Sequence, residues 1–231
     1  MIFKSFLLEK DLSLIDNYRL ILFYGENIGL KDEFKINLKK KFSDYEHILF
    51  DQDEIIKNEK LLYDQINNVS MFNDSKVIFV NEISEKLLLK IEDIIEKIPN
   101  HIRLLLFAQN LDKKSKIRLT FEKSKKAGIV PCYQDNHRTL SEYIKEKLKN
   151  YSGVSQNLTN LLISNSGLDR KVLYYELEKI KSLFQSKKIE EKKVLDLLNE
   201  ENNLNFEDLR DSCLEGNAEK LNKNLGSFTL S

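Results

Sequence analysis

The sequence predicts a parallel α/β sheet domain followed by a second, all-helical domain. Three observations carry this. Five short apolar runs alternate with helix-period segments up to Asn136. From Thr139 onward every apolar repeat has helical spacing. Only 2 prolines and 7 glycines occur among 231 residues, which leaves little room for long flexible linkers.

Arg19 to Tyr24 is a continuous apolar run, as expected of a central strand covered on both faces. Gly25-Glu26-Asn27-Ile28-Gly29 follows, then an amphipathic helix from Leu30 to Phe42. Ile48 to Phe50 is a short second strand. Glu59 to Asn68 is helical, with Leu62, Ile66 and Val69 on one side. Lys76 to Val80 is the third strand. Ser84 caps a helix running through Leu87, Leu88, Ile91, Ile94 and Ile95, which Pro99-Asn100 ends. Ile102 to Ala108 is the fourth strand, Ser115 to Ser124 a short basic helix and Gly128 to Tyr133 the fifth strand. This alternation calls for right-handed crossovers in one parallel sheet.

After Gln134, Thr139-Leu-Ser-Glu142 reads as a capping box opening a helix to Lys149. Asn157 to Ser164 is helical and stops at Gly167, a C′ glycine. Asp169 to Phe184 places Val172, Leu173, Leu177, Ile180 and Leu183 on one stripe, and Glu190 to Asn199 repeats the theme. The expected domains are 1–136, 137–202 and 203–231. In the last, Asn205 starts a helix that Gly216 ends, and Ala218 to Leu225 begins its partner. Two short helices bury little core alone. Either they lean on the bundle or they begin a longer third domain.

Lys+Arg and Asp+Glu balance at 37 each, so no global field drives nucleic-acid or membrane binding; such contact has to come from a local patch. The two cysteines, Cys132 and Cys213, form no framework, which points to a reducing cytoplasm. The N-terminus carries charges inside its apolar run and has no cleavage signature of a signal peptide, and no run reaches the ~20 apolar residues of a membrane span.

The strand–loop–helix at Tyr24 is where a phosphate-cradling loop would sit. Such a loop needs Gly, four residues, Gly, Lys and then Ser or Thr. Here Gly25-Glu-Asn-Ile-Gly29-Leu-Lys31-Asp32 has its second glycine one residue early, and Asp32 stands where a hydroxyl should bind magnesium. Glu26 adds another negative charge, so a triphosphate is repelled. The reading is a P-loop-type architecture without its chemistry. Other catalytic signals are thin. His47, His101 and His137 are isolated, no Gly-x-Ser-x-Gly elbow occurs, and Asp51 and Asp53 read as solvated loop acids. No cofactor and no metal is expected.

Two features point to partners. Lys113, Lys114, Lys116 and Arg118, with Lys123, Lys125 and Lys126, surround one short helix with little acid nearby in sequence. They read either as a solvated face or as a phosphate-contacting patch without base readout. Met71 and Phe72 precede the turn residues Asn73-Asp74-Ser75. They read either as a lid folded onto the core or as a two-residue plug for a pocket on another protein.

In order and spacing these residues resemble the delta subunit of the bacterial DNA polymerase III clamp loader. The matching stretches are Leu22-Phe-Tyr-Gly-Glu26, Ser70-Met-Phe-Asn-Asp-Ser-Lys-Val-Ile-Phe-Val80, Leu104-Leu-Leu-Phe-Ala108 with Leu111-Asp-Lys-Lys-Ser-Lys116, and Val130-Pro-Cys132. Further on they are Gly167 to Lys181 and Ile189-Glu-Glu-Lys-Lys-Val194, so the resemblance spans about residues 19 to 225. It implies an AAA+-type chain without ATPase activity: a sheet domain, a helical lid and a helical collar. In that family a Leu-Phe pair plugs the sliding clamp and helps open the ring. Met71 and Phe72 fall on those positions, flanked by Val69 and Ser70, and Met for Leu roughly conserves volume. The implied partners are the sliding clamp (beta subunit), the gamma/tau and delta-prime loader subunits, and primed DNA through the complex, with no membrane. The enclosing assembly is a DNA-directed DNA polymerase holoenzyme, a nucleotidyltransferase. A collar cut to its first helices is the departure from the family. The alternatives are a nucleotide-dependent enzyme using the degenerate loop, and a DNA-binding adaptor acting through the lysine cluster.

Overall fold

A computed structural model describes residues 1–68, 75–202, 206–216 and 218–222. The chain divides into two compact units, Met1–Asp135 and Asn136–Ser231.

The first unit opens with α1 (Ser5–Lys10) and a 3-10 turn at Leu12–Ile15. Then follow β1 (Leu20–Tyr24), α2 (Ile28–Lys41), β2 (Glu46–Asp51), α3 (Gln52–Lys57), α4 (Leu61–Asn67) and β3 (Lys76–Ile83). The unit continues with α5 (Leu88–Lys97), β4 (Ile102–Ala108), α6 (Lys116–Lys123) and β5 (Ala127–Pro131). All five strands pair in parallel, in the order β2-β3-β4-β1-β5. This is the expected α/β class.

Side-chain alternation along the strands builds two cores, one on each face. Leu20, Leu22 and Tyr24 join Ile78, Val80, Leu104, Leu106 and Ile129, beneath Ile55, Leu62, Ile66, Ile91, Ile94, Ile117 and Phe121 from α3 to α6. Ile21 and Phe23 point the other way, with Val77, Phe79, Leu105, Phe107 and Val130, beneath Leu30, Phe34 and Leu38 of α2. On that face Phe23 stacks on Phe107 at 5.0 Å, and Phe107 lies 6.4 Å from Phe79. Lys35 and Lys39 of α2 lay their ammonium groups 4.7 and 5.5 Å from the Phe107 and Phe79 ring centres, covering apolar surface with their stems. Pro131 is tolerated in β5 because that strand is an edge.

Three local expectations are corrected. Asp51 and Asp53 do not sit in a loop: they open α3, where Glu54 Oε2 accepts the Asp51 N–H at 2.8 Å. Ser84 does not cap a helix. Its N–H and hydroxyl both donate to Gln52 Oε1 at 2.7 Å, and a 3-10 turn at Glu85–Leu87 leads into α5 instead. The capping box of the second unit lies one turn earlier than Thr139–Glu142. Asn136 Oδ1 accepts from the N–H groups of Arg138 and Thr139, and Thr139 Oγ1 accepts the Asn136 N–H.

The second unit comprises α7 (His137–Lys147), α8 (Gln156–Asn165), α9 (Arg170–Leu183), α10 (Glu191–Asn202) and α11 (Phe206–Leu214). Its core joins Leu140 and Ile144 of α7, Leu158 and Leu162 of α8, Leu173, Leu177 and Ile180 of α9, and Val194 and Leu198 of α10. The expected stripe on α9 is narrower than read: Val172 and Leu183 are exposed, and Phe184 completes the buried face. Gly167 has φ +57 after α8, as a C′ glycine requires. Asp169 Oδ1 then caps α9 through the N–H groups of Lys171 and Val172.

Candidate functional site

The loop after β1 is closed by its own side chains. Gly25 has φ +133, and a Cβ there would lie 2.1 Å from the Cys132 carbonyl oxygen, so only glycine fits. The Gly25 N–H donates to Gln109 O at 3.2 Å and the Asn27 N–H to Cys132 O at 3.1 Å. Asn27 Oδ1 accepts the Leu30 N–H at 2.9 Å, capping α2. Its Nδ2 donates to Tyr133 O at 3.1 Å and Asp135 Oδ2 at 2.7 Å. Glu26 accepts from Asn110 Nδ2 at 2.7 Å.

Lys31 decides what this loop can do. Its ammonium turns inward and donates to Gly25 O at 2.8 Å and Ala108 O at 2.9 Å. Burial lowers its pKa below the ordinary lysine value. A phosphate loop offers backbone N–H groups and a free lysine to its ligand. Here the N–H groups of Gly25, Asn27 and Leu30 are engaged, and the lysine donates to the carbonyls of Gly25 and Ala108. A magnesium–ATP titration of the chain by calorimetry is therefore expected to give no saturable heat, and Lys31→Ala no change in that result. Among the described residues, no group of three or more His, Cys, Asp or Glu side chains can hold a metal ion.

The basic helix is less free than its composition implies. Lys113, Lys114 and Lys116 are exposed together at the turn into α6, which Ser115 caps. Arg118 does not join them. Its Nε donates to Glu122 at 2.8 Å and Nη1 to Leu111 O at 3.1 Å, and its guanidinium lies 5.1 Å from the Tyr24 ring centre. The Glu122 hydrogen bond raises its pKa further. Acid is also nearer in space than in sequence. Ser115 donates to Glu85, Thr120 to Glu92, and Lys126 pairs with Glu96.

Val69, Ser70, Met71 and Phe72 lie outside the described residues, but both flanks are on view. Leu62 and Ile66 of α4 are buried in the core, and Tyr63 donates to Asp93 of α5 at 3.3 Å. On the other flank, Lys76 opens β3 and is only 4% exposed. Its ammonium reaches back to Asn68 O at 2.9 Å and Gln65 O at 3.4 Å, with Glu46 at 4.0 Å. Nothing in the apolar pattern marks this lysine, which the sequence presents as an ordinary strand residue.

The family described as DNA polymerase III, delta subunit, matches residues 21–133. That range runs from β1 through the closed loop, the two flanks, the basic helix and β5. In fold the chain is also similar to the Bacillus subtilis DNA clamp loader delta protein, with a TM-score of 0.68 and 14% identity. That likeness covers 98% of this chain and 72% of that one. The Thermotoga maritima RuvB Holliday junction branch migration motor is similar at a TM-score of 0.53 and 13% identity, over 87% of this chain and 69% of that one. At such identities the likeness is one of fold: a five-stranded parallel sheet with helices. No curated protein matches the chain in sequence.

Proposed function

We propose that the chain is a non-catalytic delta subunit of a DNA polymerase III clamp loader, which binds the sliding clamp and opens it for loading on primed DNA. The observation that carries the reading is a delta-family sheet domain whose phosphate-loop lysine is consumed by Gly25 and Ala108 carbonyls. A chain built this way works by binding, because the groups that would grip a triphosphate are engaged internally.

Met71 and Phe72, with Val69 and Ser70 beside them, are the proposed clamp contact. Residues 137–202 are the proposed lid, and 203–231 the beginning of a collar. The gamma/tau and delta-prime subunits are the proposed loader partners, in the cytoplasm. Nucleotidyl transfer belongs to the polymerase of the holoenzyme, not to this chain. A pull-down with the cognate sliding clamp tests the reading: retention of the chain is expected, and its absence sinks the proposal.

The exposed turn at Lys113, Lys114 and Lys116 supports weak, sequence-independent contact with DNA phosphates. Arg118, held by Glu122, Leu111 and Tyr24, is a support for that turn more than a contact. Replacing the three lysines by alanine is expected to weaken duplex binding of the chain and to flatten its log–log salt dependence by about 1 per lysine. An unchanged slope in a fluorescence-anisotropy titration removes the patch from the account.

A further inference from the structure

We propose that Lys76 is a positioning residue for the clamp-binding segment. Its ammonium ties the residue that precedes the segment to the strand that follows it. This deepens the clamp-binding reading and rests on it.

The backbone of Lys76 is fixed in the sheet. It pairs in register with Glu46 of β2 and Ile102 of β4, and its N–H donates to His101 O at 3.0 Å. The side chain runs back from this anchor to the C-terminal end of α4. There it donates to the carbonyls of Gln65, in the last turn, and Asn68, the C-cap, and a helix C-terminus favours a cation. A buried ammonium is costly unless hydrogen-bonded. At the head of a strand whose next four residues, Val77 to Val80, are fully buried and apolar, a valine or isoleucine would meet every demand of packing. The lysine does something those residues cannot: it holds Asn68 and Lys76, eight positions apart, within one hydrogen bond of 2.9 Å. The residues on either side of the proposed clamp contact are thereby tied to each other. Fixing that tie before the partner arrives lowers the ordering cost of binding.

The test uses the full chain, the immobilised cognate sliding clamp, and three variants: Lys76→Met, Lys76→Arg and the double variant Met71→Ala, Phe72→Ala. The proposal expects Lys76→Met to weaken clamp binding about tenfold or more. Lys76→Arg, which still donates to two carbonyls, should recover most of the loss. Hydrogen exchange should quicken at residues 64–68 in Lys76→Met but stay slow at Val77–Val80. If the double variant loses binding while Lys76→Met binds like the parent chain, the proposal is overturned and the clamp reading survives. If the double variant also binds like the parent, the clamp reading itself fails. Loss of protection at Val77–Val80 in Lys76→Met, or no recovery in Lys76→Arg, assigns Lys76 to the fold alone and likewise overturns it.

Discussion

Replacing Met71 and Phe72 together by alanine is expected to abolish measurable binding to the sliding clamp and to leave the chain folded. That is the largest functional effect expected here. Burying a Met or Phe side chain contributes roughly 1.5–3 kcal/mol. Truncating an anchor of a protein–protein contact typically costs about 2 kcal/mol or more. For the pair this amounts to about 4 kcal/mol, close to a thousandfold in Kd. The pair precedes Asn73-Asp74-Ser75, a turn sequence, which is why the fold is expected to survive its removal. A biosensor titration together with a thermal melt checks both halves of the statement. Unchanged affinity removes the plug; a collapsed melt shows that the two side chains serve the core instead.

The largest structural effect belongs to Gly25→Ala. The backbone there has φ +133, a region that costs a non-glycine residue on the order of 1–3 kcal/mol. The added Cβ would also meet the Cys132 carbonyl oxygen at 2.1 Å and its carbon at 2.6 Å. These are backbone atoms, so no side-chain rotation relieves the clash. Relief requires β1 and β5 to part where the Cys132 N–H donates to Tyr24 O and the Asn27 N–H donates to Cys132 O. A loss of about 3 kcal/mol or more is expected, lowering the melting transition of the sheet unit by roughly 6 °C or more. A melt within about 2 °C of the parent chain contradicts the close approach described for this loop.

The strands were legible because central parallel strands are apolar on both faces, so Arg19–Tyr24 and Ile102–Ala108 stand out without any periodicity. The helix at Gln52–Lys57 was not, since six residues are too few to show a helical repeat, and Asp51 and Asp53 suggest solvent as readily as a cap. Overlapping signals misled at the start of the second unit. Thr139 and Glu142 have the spacing of a capping box, but Asn136 competes one turn earlier and makes the bonds. Charged side chains that fold inward were the hardest to read. The sequence shows that the phosphate loop is out of register, but not that Lys31 turns onto Gly25 and Ala108. It presents Arg118 as one more exposed cation, whereas Glu122 and Tyr24 hold it in place. It gives no hint that Lys76 is buried against α4, because the bond it makes joins two elements across a segment that composition alone marks as a turn.

The central claim is that this chain acts by clamp binding and without nucleotide. The most direct measurement is a biosensor titration of the chain over immobilised cognate sliding clamp, run with and without magnesium–ATP. The account predicts saturable binding with the same Kd in both conditions. No binding in either condition, or binding that appears only with magnesium–ATP, would contradict it.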